Sequence, residues 1–229
     1  MSIVVSAANT GLTATTNLSN PQSCTKLIWV KFAGTPTSYN TILASHNSSY
    51  NQFNLLVAGL GSGQLYISTA PSTFNSFGSQ PTWADWTCFA MTSTTAGAGS
   101  LIGYWQDNAG GGFVSESITG TSFTITNDDI ANQYANQAMT MAFYMEWNTV
   151  LTAAQLQTQF LSSTPIVALG NLSRYLPLTN AATAGNDSSG NGFNMTVNGT
   201  LTNGASLPTF PPVAPTGAGP VPRTIFVLP

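Results

Sequence analysis

The sequence predicts an all-β protein, an antiparallel β-sandwich of the jelly-roll type carrying one short helix near residues 152–161. Short runs rich in β-branched and aromatic residues recur along the chain, each bounded by Gly, Asn, Ser or Pro. Strands spaced in this way by turn residues are the signature of a sandwich or jelly roll. No strand–helix–strand alternation occurs, which excludes a parallel nucleotide-binding sheet. A length of 229 residues suits one such domain.

The elements follow in order. In Thr25–Phe32, Leu27, Trp29 and Lys31 alternate with Ile28, Val30 and Phe32, so one face is expected to be the buried one. Gly34-Thr35-Pro36 ends that strand. Thr41–Ser45 is a second strand and Gln52–Val57 a third. Gly59, Gly61 and Gly63 then mark a hairpin connection into Gln64–Ser68. Trp86–Thr92 and Ser100–Gln106 come next, the latter closed by Asp107-Asn108 and three glycines. Phe123–Ile125 and Met139–Trp147 read as two more, with Asn127-Asp128-Asp129 as a loop between them. Thr152 and Gln155 form a capping box, and Leu151 can staple onto Leu156, so a short helix begins there. Leu156 and Phe160, four apart, share the face that docks on the sandwich. Arg174–Leu178 and Met195–Leu201 are strand-like, and the stretch 186–192 between them is dense turn chemistry. From Pro208 the chain is Pro-rich and expected to be extended. The expected organisation is an N-terminal strand or arm over 1–24, the sandwich over 25–207 and an extended arm over 208–229.

Charge is scarce. Four residues are Lys or Arg and seven are Asp or Glu, so 5% of the chain is charged, against roughly 25% in an ordinary soluble domain. Hydrophobic residues make up 42%, enough for a full core and too many for a disordered chain. Asn, Ser and Thr, at 20, 24 and 32 residues, take the place of charge at the surface. Four cations cannot follow a phosphate backbone, which excludes nucleic acid as a partner. No run of 18 apolar residues exists, so no membrane-spanning helix is expected. Met1-Ser2-Ile3-Val4-Val5-Ser6 lacks the basic and long apolar regions of a secretory signal, implying a chain kept without export cleavage. In that setting Cys24 and Cys88 are expected to be buried free thiols more than a disulfide. Asn17, Asn47, Asn171, Asn186, Asn194 and Asn198 fit N-x-[ST], a match that arises by chance in so Asn- and Thr-rich a chain.

The order Trp29-Val30-Lys31, Thr41-Ile42-Leu43, Phe53-Asn54-Leu55, Trp86-Thr87-Cys88-Phe89-Ala90 and Leu101-Ile102-Gly103-Tyr104-Trp105 resembles the laminin-G-like, concanavalin A-like lectin/glucanase superfamily. Trp147-Asn148-Thr149-Val150-Leu151-Thr152-Ala153-Ala154-Gln155-Leu156 is similar to that superfamily's W-N-x-x-L-T-A-A-Q-I segment. Tyr175-Leu176-Pro177-Leu178, Asp187-Ser188-Ser189-Gly190-Asn191-Gly192 and Thr196-Val197-Asn198-Gly199-Thr200 resemble its Y-x-P-L … D-x-S-G-N-G … L-T-V-x-G-T unit. The resemblance covers roughly residues 25–212 and implies two facing antiparallel sheets about 10 Å apart. In many relatives the last unit comes first. Here it comes last, which fits strands closing the sandwich from the other end of the chain.

Glycosidase relatives need two carboxylates flanking the scissile bond. Glu116 and Glu146 are the only glutamates and form no Glu-x-Asp-x-Glu pattern, so no enzyme is expected. No G-x-S-x-G elbow surrounds any serine, and His46 reads as an exposed turn histidine among Asn47, Ser48 and Ser49. No cofactor is expected. Calcium is the metal the resemblance implies, with Asp128, Asp129 and Asp187 as its sparse candidates and Asx-turns as the alternative reading. Glycan binding needs an exposed aromatic face beside amides or carboxylates. The candidates are Trp83, Trp86, Tyr104 and Trp105 with Asp107 and Asn108, against the reading that these rings fill the sandwich.

Two functions remain. The first is a non-enzymatic structural or decoration protein of a virus particle of bacteriophage type, at the particle surface, with other copies of itself or other virion proteins as partners. Low charge lets copies pack without self-repulsion. The arm, through Pro211, Pro212, Arg223, Ile225, Phe226 and Leu228, could reach a neighbour by strand addition. The alternative is a glycan-binding lectin module for surface or host attachment, extracellular or on the cell surface.

Overall fold

The computed structural model describes residues 1–6, 10–15, 23–47, 53–59, 63–70, 73–94, 100–108, 112–119, 125–131 and 137–210. Among them lie fifteen strands. These are β1 (Ser2–Val5), β2 (Gly11–Thr15), β3 (Cys24–Phe32), β4 (Asn40–His46), β5 (Phe53–Ala58), β6 (Leu65–Ala70), β7 (Thr73–Ser76) and β8 (Thr87–Ser93). They continue as β9 (Ser100–Asp107), β10 (Val114–Thr119), β11 (Asn127–Ile130), β12 (Met139–Trp147), β13 (Leu172–Leu176), β14 (Thr196–Asn198) and β15 (Thr202–Gly204). One helix, α1 (Ala153–Gln159), stands between β12 and β13. Among the described residues no helix is long and apolar enough to cross a membrane.

The strands make two antiparallel sheets. One runs β10-β9-β8-β3-β12-β1-β15, with β13 also pairing β12. The other runs β14-β2-β11-β4-β5-β6-β7. The segment 1–24 supplies one strand to each sheet, β1 beside β12 and β2 beside β11. The last unit of the chain does close the sandwich: β15 extends one sheet beyond β1, and β14 extends the other beyond β2.

The inner faces form the main core. Ile28, Val30 and Phe32 of β3 pack there with Ile42, Leu43, Leu56, Ile67, Phe89, Trp105 and Met141. The outer face of β3 is buried as well, contrary to the one-sided pattern expected for it. Leu27 and Trp29 lie in a second cluster with Trp147, Leu151, Leu156 and Phe160, joined by Phe210. The helix and the chain up to Phe210 therefore form a third layer over the eight-stranded sheet. The capping box predicted for α1 is present, with Thr152 Oγ1 accepting from Gln155 N and Gln155 Oε1 accepting from Thr152 N. Burying Leu156 and Phe160 contributes about 1.5–3 kcal/mol each.

A bulge in β12 decides what faces the core. Ala142 pairs with Trp29 and Met145 with Leu27, so Phe143 and Tyr144 together oppose Ile28. Phe143 takes φ 55° in doing so. The extra residue inverts the alternation. Met139 and Met141 face inward before it, Tyr144 and Glu146 after it, while Met145 and Trp147 turn to the outer layer.

Glu146 thereby meets a buried set of charges. Lys26 Nζ contacts Asp128 across the sandwich, lies 2.5 Å from Ser45 Oγ and 3.4 Å from Glu146 Oε1. Arg174 Nη1 is 2.9 Å from Glu146 Oε2, and Arg174 Nε donates to Phe193 O at 2.7 Å. All four charged side chains are at most 1% exposed. Burial pushes the Glu146 carboxyl above its ordinary value, with the cations Lys26 and Arg174 opposing.

Two further expectations change. Asn127-Asp128-Asp129 is not a loop but most of β11, a central strand held on both sides by β2 and β4. Asp and Asn are poor strand formers, and tertiary pairing overrides that preference. Phe123 and Thr124 of the strand expected at 123–125 lie outside the described residues, and Ile125 precedes β11 as a buried non-strand residue. The polar strands β7 and β10 had no apolar run to announce them. Both cysteines are free. Cys24 pairs with Ser93 and Cys88 with Trp29 in the same ladder, so five residues of strand, roughly 17 Å, separate them.

Candidate functional site

On the outer face of the seven-stranded sheet, Thr13, Thr15, Asn127, Thr196 and Asn198 are half-buried or exposed, while Ala44, Val57 and Asp129 of the same face are buried. Strand alternation places the polar residues of β2, β11 and β14 on that face while Leu12, Asp128 and Ile130 point inward. Thr13 stands between Asp129 and Thr196 in the ladder, and Thr15 opposite Asn127. Together with Ala14 and Asn198 they line a polar depression of about 380 Å³. Asn198 Nδ2 donates to Thr13 Oγ1 at 3.3 Å, and His46 Nε2 sits 3.2 Å from Asp129 Oδ2. The lining is hydroxyl, amide and one carboxylate, with no Lys or Arg. Such a lining offers hydrogen-bond donors and acceptors and no cation to pair with an anion.

Four strand positions away on the same face lies an aromatic group. Tyr66 of β6 and Phe74 of β7 meet edge to face at 6.2 Å, and Tyr39 tilts against Phe74 at 6.2 Å. Tyr39 is exposed. A ring platform and a polar depression thus share one sheet face, roughly 19 Å apart by strand spacing.

The aromatic candidates read from the sequence are placed elsewhere. Trp83 is 7% exposed, Trp86 6%, Tyr104 6% and Trp105 4%, so none offers an open ring face. Trp83 and Trp105 belong to the main core, where Trp83 packs edge to face on Phe32 and donates its indole N–H to Gly63 O at 2.8 Å. Trp86 and Tyr104 lie on the opposite side of their sheet, under the third layer, with Tyr104 against Phe113. Asp107 is buried and accepts from Thr87 Oγ1 at 2.7 Å and Thr82 N at 3.0 Å. Asn108 donates to Thr209 Oγ1 at 3.0 Å. Trp83 and Trp105 fill the core between the sheets, and Trp86 and Tyr104 lie under the third layer, which no local pattern announces.

The calcium candidates do not converge. Asp128 and Asp129 are neighbours on one strand and point to opposite faces, the first to Lys26 and the second to His46. Asp187 accepts from the backbone N–H groups of Tyr175, Ser189 and Phe193 and from Ser189 Oγ. Burial raises its pKa, and these hydrogen bonds outweigh that and hold it below its ordinary value. Its oxygens are committed to the turn, as the Asx-turn reading has it. Among the described residues no group of three or more His, Cys, Asp or Glu could hold a metal ion. His46 is not an exposed turn residue but a buried one at the end of β4. Glu146 is buried among Lys26 and Arg174, and Glu116 lies on β10 beside Asn75, 3.2 Å away. Pro211, Pro212, Arg223, Ile225, Phe226 and Leu228 lie outside the described residues.

The depression itself was missed. Its only signal was the alternation Leu12-Thr13-Ala14-Thr15, a short stretch in a segment read as an arm.

No protein-family profile matches the sequence, and none of the curated proteins does. Solved structures do match. A protein of Bacteroides ovatus described as carbohydrate-binding is 13% identical over 89% of this chain, with a TM-score of 0.57. This chain spans 60% of that protein's length. Botulinum neurotoxin type C, whose uptake by cells depends on interaction with two ganglioside molecules, is 14% identical over 71% of this chain and 42% of its own, at a TM-score of 0.48. A heptameric pentraxin of Limulus polyphemus is 10% identical over 69% and 81%, at 0.44. The likeness to the Bacteroides ovatus protein shows the fold, an all-β antiparallel jelly-roll sandwich.

Proposed function

We propose that this protein is a non-enzymatic carbohydrate-binding module acting at a surface or outside the cell, and that its ligand is a neutral glycan held on the outer face of the seven-stranded sheet. The observation that carries the reading is the depression lined by Thr13, Thr15, Asn127, Asp129, Thr196 and Asn198, all hydroxyl, amide or carboxylate and none cationic. The Tyr39, Tyr66 and Phe74 rings give the same face a stacking surface for a second sugar. The likeness to the Bacteroides ovatus carbohydrate-binding protein agrees with it. The absence of a hydrolase role rests on Glu146 being ion-paired in the core, where no glycosidic bond can reach it. A glycan array followed by titration of the best hit tests the proposal. Asn127→Ala and Thr13→Val should each weaken binding tenfold or more, about 1.4 kcal/mol, with an unchanged melt. Binding unaffected by both, or an array with no hit, would sink it.

A second reading, a structural or decoration subunit of a phage-type particle, draws support from the low charge and from the anchoring of Phe210. That ring lies 5.3 Å from Trp29 and 5.9 Å from Phe143, so the Pro-rich arm starts from a fixed seat on the third layer. Light scattering after size exclusion separates the two readings. A protein that stays monomeric at high concentration and binds glycan rules out the assembly role.

A further inference from the structure

We propose that Lys26 and Asp128 join through a side-chain amide that ties the two sheets together, with Glu146 as the proton carrier for its formation. The amine and carboxyl are in direct contact, one from β3 and one from β11, and both are 1% exposed. Glu146 Oε1 stands 3.4 Å from Lys26 Nζ, and Ser45 Oγ donates to Asp128 Oδ1 at 3.0 Å. Asp128 Oδ2 has no hydrogen-bond partner. The site is lined otherwise by core, so bulk water does not compete.

The chemistry needs no outside reagent. A proton passes from the Lys26 ammonium to Asp128 within the pair, leaving a neutral amine beside a neutral acid. The nitrogen lone pair attacks Asp128 Cγ, forming the C–N bond. Ser45 holds the oxygen that takes up negative charge. Glu146 accepts a proton from the nitrogen and returns one to the hydroxyl on Cγ, which departs as water when the C–O bond breaks. Glu146 ends as it began, and an ammonium and a carboxylate have become an amide plus water. The driving force is the buried pair itself. Two charges held out of water carry a desolvation penalty that a neutral, hydrogen-bonding amide does not. Burial favours the neutral Lys26 amine, but the Asp128 charge outweighs it and holds Lys26 above its ordinary value, so the nucleophilic amine forms only by proton transfer inside the buried pair. Burial likewise raises Glu146, as a proton carrier requires. The bond would close a loop between positions 102 apart in sequence, which restricts the unfolded chain as a disulfide does.

Peptide mapping of the full chain decides it. Trypsin can cut after Lys26, Lys31, Arg174 and Arg223. An amide at Lys26 blocks cleavage there and joins peptide 1–31 to peptide 32–174, lighter than their sum by one water. A free peptide ending at Lys26 in the wild-type digest, with no joined species, overturns the proposal. Asp128→Ala must release that free peptide. Asp128→Asn should give the same joined product, now with loss of ammonia relative to its own sequence. Glu146→Gln should lower the joined fraction at least tenfold, circular dichroism confirming the fold. Full yield in that variant would remove Glu146 from the mechanism while the wild-type map still decides the bond.

Discussion

Replacing Arg174 with Met removes a cation but keeps the aliphatic stem that fills its place. The wild-type guanidinium sits 2.9 Å from Glu146 Oε2 and donates through Nε to Phe193 O. Without it a fully buried carboxylate loses its nearest countercharge, which costs about 3–5 kcal/mol at neutral pH. The size of the loss should depend on pH, and its sign can be worked out. Glu146 already has a folded-state pKa above its ordinary value, because of burial first of all. The variant raises it further. A carboxyl with a raised folded pKa favours the folded state at low pH, where it is protonated. That advantage is lost as pH rises from the unfolded value through the folded one. The variant's deficit is therefore smaller at pH 5 than at pH 8, and about 1–2 kcal/mol of it, the lost Phe193 hydrogen bond, does not depend on pH. Urea unfolding followed by tryptophan fluorescence at both pH values measures it. A deficit equal at the two pH values, or under about 1 kcal/mol at pH 8, would mean that Arg174 acts by packing and not by charge.

Three other outcomes are expected. Gly103→Ala would place a Cβ 2.4 Å from Ile67 Cγ2 and 2.7 Å from Phe77 Cζ, both in the core. It should destabilise by about 1–3 kcal/mol in denaturant titration. Asp187→Ala removes four hydrogen bonds to a partly exposed carboxylate. After discounting for solvent it should cost about 1–2 kcal/mol at pH 7. Because the folded pKa of Asp187 is lowered, its contribution is full above the ordinary value and fades as pH falls through the lowered one, so thermal melts of variant and wild type should converge in acid. Cys24 is pushed up to about 11, by burial first, so iodoacetamide at pH 8 should label it only after unfolding. Native-state labelling at the rate of a free thiol would contradict its burial.

Strands with a continuous apolar face, such as β3, β8 and β12, were legible in the sequence, because a buried inner face demands apolar residues at every second position; β11, polar in composition, was not. Met139–Trp147 matches its sequence run end to end. What was hidden has a common cause. Local patterns report that a residue is apolar, not which neighbour covers it. Trp86 and Tyr104 looked available for a ligand because the cover over them comes from α1 and from a chain segment around Phe113 and Phe210, distant in sequence. The burial of Lys26, Arg174 and Asp128 has no local signal, because each is compensated by a partner on another strand. The Phe143 bulge has no residue signature, since phenylalanine does not announce a positive φ. The polar depression escaped for the opposite reason. Thr and Asn on an exposed strand face are what any solvated sheet displays.

The burial of Lys26, Arg174, Asp107, Asp128, Asp129 and Glu146 leaves only Lys31, Asp85, Glu116 and Asp187 as charged side chains reaching solvent among the described residues. The outside of this sandwich is close to electrically silent. A partner approaching it is neither drawn in nor turned away from afar, so capture depends on collision and fit. Association should then proceed at nearly the same rate in dilute buffer and in brine, a tolerance that steered, oppositely charged pairs give up.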